Sequence, residues 1–386
     1  MSASRVDARR EADVREAAAP IDSTKPASDF VLEVSDFSVH YGVDENMVRA
    51  VHDVTLNLRR STVLGIAGES GSGKSTLVYA ITRLLRAPGV ISGGRAILNV
   101  SPEGDGQRVT PVNLTTASER ELRRVRWSHV SIVLQSALNA LNPVRRIGHE
   151  FDEVLRTHRP TMSKGDRRRR SVELLALVGL EPDRLDRFPH ELSGGQRQRI
   201  MIAMALALDP ELVVMDEPTT ALDVVTQREI ITELAELRAR FGFAMIFITH
   251  DLSLLVELAD EIVVMYAGTI VERARAGELY AAPRHPYTLG LLESFPPLHG
   301  ERRELTGIAG SPPDLAEALV GCRFAPRCVF SMDRCRAEAP PLVAIGDTGR
   351  SVACWLHDER ATLAVPEPLA RRWTVPSGST NGGAAT

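Results

Sequence analysis

Three stretches of the 386-residue chain carry residue types at spacings that suit phosphate chemistry. The first, GESGSGKST (Gly68 to Thr76), fits the pattern G-x-x-x-x-G-K-S/T. Its glycines let backbone N–H groups turn inward around an anion, and the start of a following helix adds a favourable dipole. Lys74 would reach the β- and γ-phosphates of a nucleotide, and the Ser75 hydroxyl would hold Mg²⁺. Gly68, Ser70, Gly71, Ser72, Gly73, Lys74, Ser75 and Thr76 are therefore the expected nucleotide contacts. The second stretch, LVVMDE, ends an apolar run with two carboxylates. Asp216 is placed to hold Mg²⁺ through water, and Glu217 to orient or deprotonate an attacking water. The third, LSGGQ, sets Ser193, Gly194, Gly195 and Gln196 ahead of a helix with Ile200, Ala203, Met204 and Ala207 on one side. That makes a second anion site on the same chain. Each stretch alone has a plainer reading: a structural glycine loop, a solvated strand end, a helix cap. Their occurrence together points to nucleotide chemistry.

These groups need a scaffold to bring them together. VTLNL (54–58) alternates apolar and polar residues as a half-buried strand does, and VLGIA (63–67) reads as a fully buried one. Leu77, Ile81, Leu84 and Leu85 repeat with helical spacing, and further buried strands are expected at VSIVLQ (130–135), ELVVMDE (211–217) and FAMIFITH (243–250). Strands alternating with helical patterns predict an α/β fold around a parallel sheet. A long helical stretch, roughly 147–208, reads as a subdomain inserted into that core, and EIVVMYAGTIVER as a hairpin turning at Ala267 and Gly268. Residues 1–28 and 359–386 read as disordered tails. Between them, a nucleotide-binding domain is expected over 29–295 and a C-terminal domain over 296–358, after a Pro-rich boundary.

The bulk composition excludes some classes. A net charge of −4, with 44% hydrophobic and 25% charged residues, is that of an average globular protein and leaves no nucleic-acid footprint. No stretch approaches the roughly 18 apolar residues that a bilayer span needs. The charged start of the chain lacks the apolar run of a secretory signal, so a cytoplasmic protein is expected.

In order and spacing, the three motifs resemble those of the nucleotide-binding subunits of ATP-binding cassette (ABC) transporters, over about residues 30–355. The resemblance implies a P-loop NTPase cassette with a RecA-like parallel-sheet core, an antiparallel β part, an inserted helical subdomain and a small cysteine-containing C-terminal domain. It implies that Tyr41, in HYGVDE, stacks on adenine. Gln135, closing SIVLQ, would touch Mg²⁺ and water while sensing the membrane partner. Asp223, in TTALD, would lie in the loop that crosses a dimer interface, and His250, in FITHD, would contact the γ-phosphate. Glu217, His250, Gln135 and Lys74 are then the expected catalytic set. Two subunits would pack head to tail, Ser193 to Gly195 of one closing over ATP held by Gly71 to Thr76 of the other. Hydrolysis would reopen that interface and drive the membrane subunits.

NALNPVRRIG, HPYTLGLLESFP and GCRFAPRC are similar to the ATPases of oligopeptide, dipeptide and nickel importers. The similarity implies ATP-driven peptide import from the cytoplasmic face of the plasma (inner) membrane. It implies as partners a second ATPase that is a paralogue, two integral-membrane permease subunits and, indirectly, an extracytoplasmic substrate-binding protein, with no nucleic acid. A nickel or other small-solute importer, and a soluble ABC ATPase acting on nucleic acid or ribosomes, are the alternatives. A nucleotide binder without turnover is disfavoured by the intact Glu217 and His250. Three departures from the subgroup stand out: DVVTQ reverses the usual order of Val and Thr, Ser136 replaces a common acidic residue, and RRSTVLG lacks Gly-Glu.

Four cysteines, Cys322, Cys328, Cys335 and Cys354, lie within 33 residues as C-x5-C-x6-C-x18-C. Structural zinc prefers C-x2-4-C pairs, and disulfides are disfavoured in a reducing cytosol. Four thiolates at longer, irregular separations suit an iron–sulfur cluster, and members of the subgroup that the chain resembles can carry a 4Fe-4S cluster there. Iron–sulfur, zinc and inert buried thiols all stay open. The segment follows the last nucleotide motif, so it is expected to be structural or regulatory, and separable from nucleotide binding.

Overall fold

The computed structural model describes residues 29–358 apart from 43–46, 102–108, 136–139, 221, 295–306, 318 and 347–348. Both expected tails and Ser136 fall outside these residues. The chain opens with β1 (Phe30–Tyr41), β2 (Val48–Arg59) and β3 (Val63–Ala67), then α1 (Lys74–Ile81), β4 (Gly89–Val100), β5 (Thr110–Asn113), α2 (Glu119–Val125) and β6 (Val130–Val133). Three helices follow: α3 (Ile147–His158), α4 (Lys164–Leu177) and α5 (Gly194–Ala205). Strands and helices then alternate through β7 (Leu212–Asp216), α6 (Val224–Phe241), β8 (Ala244–Ile248), α7 (Leu252–Leu258), β9 (Glu261–Tyr266) and β10 (Thr269–Arg275). The last part holds α8 (Ala276–Ala281), α9 (Pro286–Glu293), α10 (Asp333–Ala337), β11 (Val343–Ile345) and β12 (Arg350–Val352).

The main sheet runs β11-β12-β10-β9-β3-β8-β7-β6. Its members from β9 to β6 pair in parallel, and the rest antiparallel. Every residue of β3, β7 and β8 is buried, because both faces of these strands are covered. Alternate side chains go opposite ways. Val213, Met215, Met245 and Phe247 join a core shared with α3 to α7. Leu212, Val214, Ile246 and Ile248 join a second core shared with α1 and the antiparallel sheet β2-β1-β4-β5. Helix α1 is thus wedged between two sheets by Leu77, Val78 and Ile81, and burial of one such side chain stabilises by roughly 1.5–3 kcal/mol. The wedge fixes the loop that feeds it.

Four sequence expectations change. Helix α1 stops at Ile81 because Arg83 adopts φ 58°, so Leu84 and Leu85 lie beyond it, their N–H groups on the Tyr79 carbonyl. Helix α5 ends at Ala205, short of Ala207, and Ile202, Ala203, Met204 and Ala205 are all buried, so it has no single apolar side. The buried strands expected at 130–135 and 243–250 are shorter, ending at Val133 and Ile248, which leaves Gln135 and His250 in the turns that follow. Finally, the cysteine-bearing segment shares the main sheet, since β12 pairs with β10 at Glu272↔Val352 and Arg273↔Ser351. The hairpin at Ala267 and Gly268 is present, both residues being left-handed at φ 48° and 84°.

Candidate functional site

The parallel strands deliver their C-terminal ends to one edge, where open α/β sheets bind ligands. Residues 68–73 leave β3 and enter α1 through left-handed glycines, Gly71 at φ 79° and Gly73 at φ 99°. Gly73 sits so close to β2 that an added Cβ would lie 2.3 Å from the Ala50 carbonyl oxygen. Lys74, with only 5% of its surface exposed, folds back on the loop. Its Nζ donates to the Gly68 carbonyl at 2.7 Å, the Glu69 carbonyl at 2.8 Å and Ser72 Oγ at 3.3 Å. Burial pushes the ammonium below its usual pKa, and the nearby Glu217, Asp216 and Glu69 act against that shift. A phosphate entering the loop would replace these carbonyls as partner for the charge.

Asp216 closes β7 and is fully buried. Ser75 Oγ donates to its Oδ1 at 3.0 Å, while the buried Oδ2 has no hydrogen-bond partner among the described residues. Burial raises its carboxyl pKa, with the Tyr79 and Ser75 hydroxyls opposing. A buried carboxylate oxygen without a partner beside a serine hydroxyl is a fitting donor set for a hard divalent cation. Glu217 follows in the left-handed region at φ 46°, its N–H tied to the Ile248 carbonyl at 2.9 Å. Such a non-glycine conformation costs about 1–3 kcal/mol and is found where function fixes a side chain. Glu217 Oε2 gathers three groups: Thr220 Oγ1 at 2.9 Å, Gln135 Nε2 at 3.1 Å and His250 Nδ1 at 3.5 Å. The bond with His250 holds Glu217 below the usual carboxylate range and raises His250. The glutamate is therefore ionised at neutral pH, able to accept a proton or orient a water.

Tyr41 lies at the other side of the loop, its hydroxyl 3.3 Å from Thr76 Oγ1. Gly89 leaves room for its ring, since an added Cβ would lie 2.9 Å from Tyr41 Cε1. The remaining expected contacts stand elsewhere in the subunit. Ser193 caps α5 in a reciprocal box with Gln196, each side chain bonded to the other's backbone N–H at 3.2 and 3.1 Å. Asp223 caps α6 through Val225 and Thr226. Gly194 and Gly195 pack on Leu222 and Thr226, so the LSGGQ motif sits against the Asp223 turn. Among the described residues, no hydrogen bond joins Ser193–Gln196 to residues 68–76.

Sequence reasoning missed Thr220, Tyr79 and above all Glu69, the second loop residue. The Glu69 N–H donates to Tyr287 Oη at 2.8 Å, and its carboxylate takes a bidentate fork from Arg327 at 2.7 and 3.0 Å. Arg327 belongs to GCRFAPRC.

The ABC transporter family matches residues 51–220, and the oligopeptide/dipeptide transporter C-terminal region matches 271–335. The chain is 42% identical to the oligopeptide transport ATP-binding protein OppD of Salmonella typhimurium, over 84% of its own length and 93% of that protein's. The chain belongs to the ABC transporter ATP-binding subunits. It is 41% identical to the dipeptide transport ATP-binding protein DppD of Escherichia coli, over 84% of its length and 96% of that protein's. Among solved structures, a dimeric ATP-binding cassette in a post-hydrolysis state with ADP and Pi matches with a TM-score of 0.54. That likeness has 27% identity and covers 64% of this chain and 98% of the other. This ABC subunit is accordingly an ATP-binding ATPase. Among its described residues, no helix is long and apolar enough to cross a membrane.

The subunit's four cysteines form no disulfide. They line one small pocket with His285, Phe324, Phe330, Trp355 and Leu356. Gly321, at φ 73°, lets the chain approach closely enough for the Cys322 N–H to reach the Cys335 carbonyl at 2.7 Å. Burial pushes the Cys328 thiol up to about 11 and the Cys354 thiol up to about 12, and raises Cys322. The backbones of Phe324, Phe330 and Leu356 act against these shifts at Cys322, Cys328 and Cys354. The ring of His285 is already engaged, accepting the Tyr287 N–H at Nδ1 and bonding the Ala353 backbone, while burial keeps it neutral. The four cysteines expected as ligands, Cys322, Cys328, Cys335 and Cys354, do meet around this one pocket. Among the described residues, no group of three or more His, Cys, Asp or Glu side chains is placed to hold a metal ion. The thiols surround an apolar pocket without closing on a point.

Proposed function

We propose that the chain is the subunit that energises peptide import, hydrolysing ATP in composite sites of a head-to-tail ATPase dimer. The observation that carries this is the meeting of Lys74, Ser75, Asp216 and Glu217 at one sheet edge, with Asp216 Oδ2 left without a partner. Peptide as the cargo is supported by the names of the relatives, oligopeptide and dipeptide transport ATP-binding proteins. Lys74 binds the β- and γ-phosphates, Ser75, Gln135 and Asp216 hold Mg²⁺, and Tyr41 faces the adenine. Mg²⁺ supplies charge neutralisation of the phosphates. Glu217 positions and deprotonates the water, and His250 bonds the γ-phosphate and steadies Glu217. Ser193 to Gln196 and Asp223 serve the partner's nucleotide. The partner ATPase is a paralogue, the pair sits on two permease subunits at the cytoplasmic face of the inner membrane, and a binding protein outside delivers cargo.

Four thiols around one pocket suit a 4Fe-4S cluster, which the resemblance to peptide-importer ATPases also implies. A single ion needs its ligands drawn to one centre, whereas each thiolate of a cluster takes its own iron around a shared cavity. Bound iron would replace the thiol protons that burial retains here.

Glu217→Gln tests the assignment. Hydrolysis should fall by about 10²–10⁴-fold while an ATP-bound dimer accumulates on gel filtration. Unchanged hydrolysis would mean that another group is the base. Loss of growth on peptides after deletion of the chain tests the cargo.

A further inference from the structure

A carboxylate inside a phosphate-binding loop is electrostatically out of place. Glu69 lies between Gly68 and Ser70 and would face a nucleotide carrying several negative charges. Its neutralising partner comes from 258 residues further on. The Arg327 side chain is 5% exposed and that of Glu69 28%, so the pair is largely shielded from solvent. Arg327 is also anchored from behind. Its Nε donates to the Ala309 carbonyl at 2.9 Å, Nη2 to the Ile308 carbonyl at 3.3 Å, and Nη1 to Tyr266 Oη at 3.3 Å. The guanidinium lies against the rings of Tyr266 and Phe324, which pack with Tyr287. The same aromatic group supplies the hydroxyl that holds the Glu69 N–H. Glu69 is thus fixed at its N–H and carboxylate by residues beyond 286, while its carbonyl holds Lys74.

We propose that Arg327 is a positioning residue for ATP binding. It cancels the Glu69 charge and sets the shape of the loop from the cysteine-bearing segment. This rests on the reading of residues 68–76 as the nucleotide site. The role is chiefly electrostatic, so the two partners should differ in sign. Removing Arg327 exposes a carboxylate to the phosphates, whereas neutralising Glu69 removes the repulsion that Arg327 exists to offset.

The test is ATP affinity and steady-state kinetics of the full chain with Arg327→Met, Arg327→Lys, Glu69→Gln, the Glu69→Gln/Arg327→Met double variant and Lys74→Ala. Arg327→Met should weaken ATP by about tenfold, raising KM and leaving kcat nearly unchanged. Arg327→Lys should recover part of that loss, because an ammonium restores the charge without the bidentate fork. Glu69→Gln, which keeps the carbonyl that holds Lys74 but leaves the Arg327 charge unopposed, should bind ATP more tightly than wild type, and the double variant should recover most of the Arg327→Met loss. Glu69→Gln reads the proposal even if Arg327→Met misfolds. Weakening by Glu69→Gln as large as that by Arg327→Met would mean a merely structural pair and overturn the proposal. So would wild-type affinity in Arg327→Met, or a double variant as weak as that single one. Lys74→Ala separates the two levels. If it binds ATP undiminished, the nucleotide-site reading fails and takes the proposal with it; if it loses ATP while Arg327→Met does not, the proposal alone fails.

Discussion

The phosphate loop and the cysteine pocket both gather motif residues, but they prepare for their ligands in opposite ways. Around the loop the charges are already formed and paired with one another: Lys74 on loop carbonyls, Ser75 on Asp216, Gln135 and His250 on Glu217. Binding there exchanges partners. Around the cysteines the walls are largely apolar, and burial keeps Cys328 and Cys354 protonated at neutral pH. Binding there requires the loss of protons, so metal uptake should be the more pH-dependent event.

The most severe way to break the comparison is at the loop backbone. Gly73→Ala should abolish ATP binding, since a left-handed alanine there costs about 1–3 kcal/mol and its Cβ would also meet the Ala50 carbonyl. Isothermal titration with ATP reads the loss, and circular dichroism checks the fold. A smaller effect should come from the other corner. Protein purified without oxygen should carry iron and sulfide with a broad absorbance near about 400 nm. Cys354→Ser should lose both while ATP affinity stays within about threefold, because Cys354 packs in a separate apolar cluster with Leu289 and Leu356. Stoichiometric zinc in the wild type would sink the cluster. The subtlest effect lies in the His250 titration. His250 is raised above 6.5, so its contribution to the folded state is complete below 6.5 and lost as pH rises through the raised value. Glu217 is lowered below 4.5, so its contribution is present above 4.5 and lost as pH falls through the lowered value. The pair is intact between those limits. The NMR midpoint of His250 should lie above 6.5 and drop in Glu217→Gln; an unmoved midpoint would show that Glu217 does not set it.

The nucleotide corner was legible because its chemistry is compressed into short runs. Nine consecutive residues hold Lys74 and Ser75, and one strand end holds Asp216 and Glu217. Buried strands announce themselves in the same way, as apolar runs such as VLGIA and LVVMD. What could not be read was pairing at long separation. Neither Arg327 nor Glu69 carries a periodic signal, and β12 is three residues long, too short to be seen as a member of the main sheet. For that reason the cysteine segment looked separable from nucleotide binding, whereas Cys328 directly follows the arginine that grips the loop. Replacing Cys328 is therefore a poorer test of independence than replacing Cys354.

The clamp on Glu69 also has a place in time. Arg327 leaves the ribosome 258 residues after Glu69. At roughly 5–20 residues per second, that delay is on the order of ten to fifty seconds. During it the strands and helix around the loop can assemble, but the guanidinium that neutralises Glu69 does not yet exist. On this reading a nascent chain would acquire its full hold on ATP only after synthesis has passed Arg327.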